Sequence, residues 1–389
     1  MAYAEGRTFF DADSHLMELP NFLVDGADPA MRDRIPPLSV TSGGPMALRM
    51  QEYAAAGGHT AEKVAELSRD VIGGAKNYEA LGAFNRGERT AALDLLGFHA
   101  QWVFSSFSPG QVLSIRDLEL RYAACRAHNR SMAAFCAEDP RLLPVALLSL
   151  DDPERAATEL DLALELGCRG VWIPAGPCGG RSPGHNDLDP IWARLAEAGV
   201  PFLLHVGGQA IQIRDEYMNT GRPQPTDWLG GAENVRSKDL TVLHQRAEEF
   251  LSVMILDGVL ERHRDLRGAA VELGATWVPG MLRRLDHAAS IWARSEPELR
   301  TFDRTPSQQA CAQLAFTPYP FEDVGSLIRE SAPELYLFSS DYPHTEGGRN
   351  PIGRFEASLG DLDDAVRDRF YADNFTKLLP SALELSPVG

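Results

Sequence analysis

The sequence predicts an α/β protein, a (β/α)8 or TIM barrel, on three observations. From about residue 89 onward, short apolar runs alternate with amphipathic segments, the pattern of a parallel sheet with crossover helices. Close to eight strand–helix units can be counted, the number that closes such a barrel. The rival, a doubly wound open sheet, would carry a glycine fingerprint after its first strand, and no GxGxxG stands there.

Each element follows from the chain in order. Phe9–His15 reads as a buried strand, and period-two geometry puts Asp11, Asp13 and His15 on one side. Residues 16–88 are rich in Pro, Gly and Ala, with turns at Ile35-Pro36-Pro37 and Thr41-Ser42-Gly43-Gly44-Pro45. So long an irregular stretch is expected to form a lid or inserted subdomain. Arg89–Leu96 reads as a helix closed by Gly97, Gln101–Ser105 as a strand, and Asp117–Ala137 as a helix with a carboxylate in its first turn. Leu143–Leu150 is strand-like, Asp152-Pro153 opens a helix through Leu166, and Gly170–Pro174 is a strand. Pro190–Glu197 is helical, and Pro201–Val206 is a strand carrying His205. Gly207–Arg236 is expected to loop over the sheet. Ser237–Glu261 reads as helix, Leu266–Leu273 as a strand carrying Glu272, and Pro279–Arg294 as helix. Gln309–Phe316 is expected as a strand, Phe321–Glu330 as a helix and Leu335–Ser339 as the last strand, delivering Asp341. Asp361–Phe370 and Ala372–Leu379 close the chain as helices. Residues 1–389 are thus expected to be a single barrel domain with insertions at 16–88 and 207–236.

Composition bounds the partners. A formal net charge of -18 argues against nucleic acid, which would require a basic face. No apolar run approaches the length of a membrane span, and Met1–Arg7 leads straight into the first strand without a signal-like segment. A cytoplasmic protein is expected, and a homodimer by base rate. The five cysteines show no CxxC spacing and read as reduced small hydrophobes.

In a barrel, residues at the C-terminal ends of strands converge on one site. Asp13, His15, His205 and Asp341 all meet that condition, and barrel closure makes the first and last strands neighbours. Two imidazoles and two carboxylates suit a divalent ion, zinc favoured with manganese or iron(II) as alternatives, with positions left for water and substrate. Taken singly, each of these residues is commonly structural; their joint occurrence points to metal. Glu272, at the end of the Leu266–Leu273 strand, is a candidate acid or base; the structural alternative is a cap on the following helix or a pair with Arg283 or Arg284. His344, three residues beyond Asp341, is the second acid–base candidate, or a group that orients Asp341. Arg89 and Arg284 are candidate clamps for a substrate carboxylate. His185 lies in a loop on the active-site side, and Trp277 and Trp228 are candidate apolar walls.

These motifs carry a resemblance. Asp-Ala-Asp-Ser-His at 11–15 resembles the first-strand metal motif of the amidohydrolase superfamily, in the branch typified by aminocarboxymuconate semialdehyde decarboxylase. The stretches 200–207 (VPFLLHVG), 272–279 (ELGATWVP) and 340–347 (SDYPHTEG) match in order, the last being the most specific. The resemblance spans essentially the whole chain apart from the insertions. It implies a barrel holding one divalent metal per chain on Asp13, His15, His205 and Asp341, and a reaction on a small carboxylated, aromatic or unsaturated molecule. The chain departs from the branch prototype twice: Asp13 replaces the first histidine of a His-x-His pair, and Glu272 stands where a catalytic histidine precedes glycine. Asp11 has no ligand role in the resembled family and is expected to be structural.

The expected function is a metal-dependent, non-oxidative decarboxylase, with proton delivery by Glu272 or His344. The alternative is a hydrolase of a C–N, ester, lactone or C–C acyl bond in which metal-activated water attacks and Asp341 and Glu272 manage protons. A ligand-binding barrel without catalysis would have no need of all four ligand residues together.

Overall fold

A computed structural model describes residues 2–39, 45–207, 213–223 and 236–385. Seven strands lie in chain order in one all-parallel sheet: β1 (Phe10–Leu16), β2 (Ala100–Ser105), β3 (Leu142–Leu147), β4 (Gly170–Trp172), β5 (Phe202–His205), β6 (Gly268–Val271) and β7 (Leu314–Phe316). Every residue of these strands is buried. That explains why the strands after β1 read as largely apolar runs, since helices cover the sheet outside and side chains fill it inside.

The eighth position is taken by an extended segment at 336–342. It is bonded on one side to β7 (Leu337 N–H to Phe316 O, 3.0 Å) and on the other to β1 (Ala12 N–H to Phe338 O, 3.1 Å; His15 N–H to Tyr342 O, 2.7 Å). The segment pairs through isolated bridges and forms no ladder of its own, yet it links the two sheet edges and brings Asp341 beside Asp13 (Asp341 N–H to Asp13 O, 2.8 Å). Phe9, Phe98, Phe338 and Tyr371 form an aromatic plug, with Phe9–Tyr371 centroids 4.6 Å apart. Sheet packing is close enough that a methyl group on Gly268 would sit 2.2 Å from the Phe202 ring.

Four expectations are corrected. Among its described residues the stretch 16–88 contains the α-helices Phe22–Gly26, Pro45–Ala56 and Ala61–Leu67; the last is capped by Thr60, whose side chain accepts from Lys63 N–H. Gln309–Phe316 is mostly helix: Pro306–Gln313 begins with a capping box between Thr305 and Gln308, and only Leu314–Phe316 is strand. Ser237–Glu261 divides into a short turn at Asp239–Thr241, a helix Gln245–Leu256 and a single turn Val259–Arg262, broken at Gly258, whose φ of 71° a regular helix cannot include. The two C-terminal helices merge through a π-turn, Arg369–Asp373, between Asp364–Asp368 and Asn374–Leu378. No described helix is long and apolar enough to cross a membrane, and all five cysteines are free thiols.

Candidate metal centre and active site

The ends of β1, β5 and β6 and the closing segment meet at one point. Two overlapping groups, Asp13–His15–His205–Glu272 and His15–Glu272–Asp341–His344, each place one potential ligand atom per residue within 4.8 Å of the others. His15 Nε2 lies 3.1 Å from Asp13 Oδ1, 3.6 Å from Asp341 Oδ1 and 3.8 Å from Glu272 Oε2. His205 Nε2 lies 3.3 Å from Asp13 Oδ1 and 3.6 Å from Glu272 Oε2. Glu272, read from the sequence as an acid or base, therefore sits among the potential ligand atoms themselves.

The backbone at two of these residues is held in the left-handed region, with φ of 54° at Glu272 and 53° at Asp341. Residues other than glycine adopt this only under local constraint, and such strain gathers at functional sites. The constraint is visible at Glu272: its N–H donates to Thr317 Oγ1 at 2.8 Å, and its carbonyl accepts from the Tyr319 hydroxyl at 2.8 Å. Its expected structural partners are engaged elsewhere, Arg283 with Glu330 and Arg284 with Glu248.

Asp11 is fully buried and outside both groups. Its carboxylate accepts from the Ser340 N–H (2.7 Å), the Ser340 hydroxyl (2.6 Å), the Gln101 amide (2.7 Å) and the Asp13 N–H (3.3 Å). It thereby ties β1 to β2 and to the closing segment, one residue before Asp341. A register shift between Asp11 and Ser14 interrupts the strict alternation expected of β1.

The electrostatics call for a cation. Burial would push the Asp13 carboxyl up, but the imidazoles of His205 and His15 beside it hold it well below the usual range. Burial pushes Asp341 up to about 7, with the His344 charge opposing. Burial and the His344 charge together push His15 down to about 3. Tyr319 is driven far above its ordinary range by burial and then by the negative charge of Glu272 and Glu322. Both Asp341 oxygens and both His15 ring nitrogens are buried, and beyond the 3.1 Å approaches of His344 Nδ1 to Asp341 Oδ1 and of His15 Nε2 to Asp13 Oδ1 they have no polar partner that satisfies them. Buried carboxylate oxygens and an imidazole lone pair left in this state are costly unless a cation accepts those lone pairs. The donor set, carboxylates and imidazoles on rigid strand ends, thus fits a divalent ion. His205 is oriented for it, since Nδ1 donates to Val206 O at 2.8 Å and Nε2 faces the cluster.

His344 stacks on His15 (centroids 3.8 Å, 22°), with Nδ1 3.1 Å from Asp341 Oδ1 and Nε2 2.8 Å from Ser106 Oγ. Ser106 is fixed in turn by Glu18, whose buried carboxylate accepts from the N–H groups of Ser106, Phe107 and Ser108. The sequence reading missed Ser106 and Glu18; neither lies in a periodic or motif-like context that would reveal it.

The remaining candidates fall elsewhere. Arg89 is fully buried: Nη1 donates to His15 O at 3.0 Å, and the guanidinium lies 5.3 Å from the Tyr342 ring centroid, so its contacts are with the backbone and ring beside the ligands. Arg284 is exposed and bonded to Glu248. His185 is exposed and accepts from Asp187 N–H. Trp277 is buried between His244 (5.5 Å, 19°) and Phe316 (5.2 Å, 88°). Trp228 lies outside the described residues. A small cavity beside the cluster is lined by Asp13, Glu272, Tyr319, Asp341, Glu346 and Gly347, among others.

The amidohydrolase family model matches residues 104–380. The chain belongs to the amidohydrolase family. Among curated proteins, this amidohydrolase is 27% identical over 270 residues to Decarboxylase orsB of Emericella nidulans, covering 67% of this chain and 75% of that one. Among solved structures, the amidohydrolase map2389c of Mycobacterium avium subsp. paratuberculosis K-10 matches with a TM-score of 0.72 at 24% identity, over 97% of this chain and 100% of that chain. A dihydroxybenzoic acid decarboxylase of Polaromonas sp. JS666, solved with manganese and 2-nitroresorcinol, matches with a TM-score of 0.63 at 18% identity, over 97% and 98%. At these identities the structures establish the barrel fold.

Proposed function

We infer that this amidohydrolase is a metal-dependent, non-oxidative decarboxylase of a small aromatic or unsaturated carboxylate. The observation that carries the reading is the convergence of Asp13, His15, His205, Glu272 and Asp341 on one buried point, with Glu272 and Asp341 on strained backbone. Kinship with decarboxylases in sequence and in fold supports it. Asp13, His15, His205 and Asp341 would hold the ion, manganese or zinc, and the ion would supply Lewis-acid stabilisation of negative charge on the substrate.

The chain's own residues do the rest. Glu272 in its acid form delivers its proton to the carbon that bears the carboxylate. The carbon–carbon bond then breaks, its electron pair returns to the ring or double bond, CO2 leaves, and the Glu272 carboxylate is reprotonated from solvent. His344, held by Ser106, keeps Asp341 and the His15 ring in place. Tyr319 and Thr317 clamp the Glu272 backbone so that its carboxyl stays turned toward the cluster. Arg89 braces the His15 carbonyl. The hydrolytic reading rests on the same Glu272, since a carboxylate is equally suited to take a proton from water. We further propose a cytoplasmic homodimer, to be checked by light scattering and fractionation.

Incubation of the metal-loaded protein in D2O with a panel of hydroxybenzoates, aryl amides and lactones tests the assignment. CO2 release with one deuterium at the vacated carbon is expected. Uptake of 18O from labelled water into a product carboxylate, without CO2, would replace decarboxylation by hydrolysis.

A further inference from the structure

We propose that Lys76 receives the negatively charged group of the substrate, an inference that rests on the decarboxylase reading for the nature of that group. Lys76 belongs to the stretch before Arg89, far in sequence from any strand end, but the fold fastens it to the loop that follows Asp341. Arg349 Nη1 donates to Gly73 O at 2.7 Å, Asn77 N–H to Pro343 O at 2.9 Å and Asn77 Nδ2 to Thr345 Oγ1 at 3.2 Å. Asn77 adopts left-handed backbone, φ 54°, to make that junction.

Between these ties the Lys76 ammonium lies 5.9 Å from the centroid of the Tyr342 ring. Its nitrogen is shielded from solvent and makes no hydrogen bond. Tyr342 is a poor substitute for an anion, because 5.9 Å is near the outer limit of a cation–π contact. A shielded ammonium to which no carboxylate is directly bonded is unfavourable, so this arrangement suits an anion that arrives from outside. Burial and the neighbouring Arg349 charge push Lys76 down, to about 8, with the charges of Asp341 and Glu346 opposing that fall. The cavity at the strand ends is acidic, lined by Asp13, Glu272, Asp341 and Glu346, the last two in the loop to which the Lys76 segment is fastened. An anionic substrate entering it needs a fixed positive charge besides the ion. The lysine stem is long and flexible enough to swing its ammonium off Tyr342 toward a carboxylate or phenolate.

The test is binding to the full-length, manganese-loaded protein by titration calorimetry, with 2,6-dihydroxybenzoate and its uncharged amide as probes. The wild type is expected to prefer the acid. Lys76→Met should lose about ten- to hundred-fold in affinity for the acid while its affinity for the amide stays level, the size of one charge-assisted hydrogen bond. Lys76→Arg, which keeps the charge, should retain the preference. No preference in the wild type, an undiminished preference in Lys76→Met, or its loss in Lys76→Arg would overturn the assignment. If the preference follows the charge at position 76 but no acid releases CO2, Lys76 stands as the anion site and the decarboxylase reading falls.

Discussion

Replacing Asp11 by alanine removes the acceptor that holds three parts of the barrel together. The Ser340 hydroxyl still accepts from Tyr342 N–H at 3.1 Å and Asp13 N–H loses only a long 3.3 Å contact, but the Ser340 N–H and the Gln101 amide are left buried without the carboxylate. At about 1–3 kcal/mol for each orphaned buried donor, the loss is about 2–6 kcal/mol. The loss must also depend on pH. Burial raises the Asp11 carboxyl to about 7, despite the hydrogen bonds it accepts from Ser340 and Gln101. The folded state therefore holds a proton that the unfolded chain has released, and the stability tied to that proton is lost as pH rises from about 4 through 7. Between pH 5 and pH 8 this amounts to about two pKa units, on the order of 3 kcal/mol, lost by the wild type and not by the variant. Calorimetric unfolding of the metal-free proteins should show Asp11→Ala melting about 3–7 °C lower at pH 5, with the gap narrowing at pH 8. An unchanged melting temperature at pH 5, or a gap that widens with pH, would refute this account of Asp11.

Three further changes probe the site. Glu272→Gln should lower kcat by about a hundred-fold or more, the scale of a general acid; wild-type turnover would remove Glu272 from the mechanism. Gly347→Ala would place a methyl group 2.0 Å from Ser340 O and 3.0 Å from Asp341 Cβ, so the Asp341 loop must shift and metal affinity fall at least about ten-fold; unaltered metal binding would contradict the packing described. Ser106→Ala frees His344 Nε2 from its 2.8 Å partner and should weaken metal affinity by about ten- to hundred-fold with little change in stability, whereas unchanged affinity would leave Ser106 without a role at the centre.

Much of the barrel was legible because its strands are buried on both faces and separated by amphipathic helices. The failures have physical causes. Gln309–Phe316 is rich in small and polar residues that fit either state, and its helix is decided by the Thr305 cap. The 16–88 stretch looked irregular because Pro and Gly interrupt three short helices. At the site, strand-end position was enough to bring out Asp13, His15, His205, Glu272 and Asp341, since barrel closure determines where strand ends meet. Lys76, Ser106 and Glu18 depend on loop contacts between residues 88–268 positions apart, and no local pattern encodes those. Arg89 illustrates the converse: its charge suggested a substrate clamp, while its burial against His15 and Tyr342 is a property of the fold alone.

Metal content tests the central claim most directly. Protein purified in chelator-free buffer and analysed by plasma mass spectrometry should carry about one divalent ion per chain, and His15→Ala and Asp341→Ala should lose it while remaining folded. Less than half an equivalent of zinc, manganese or iron in the wild type, with none taken up on addition, would contradict a metal centre at these strand ends.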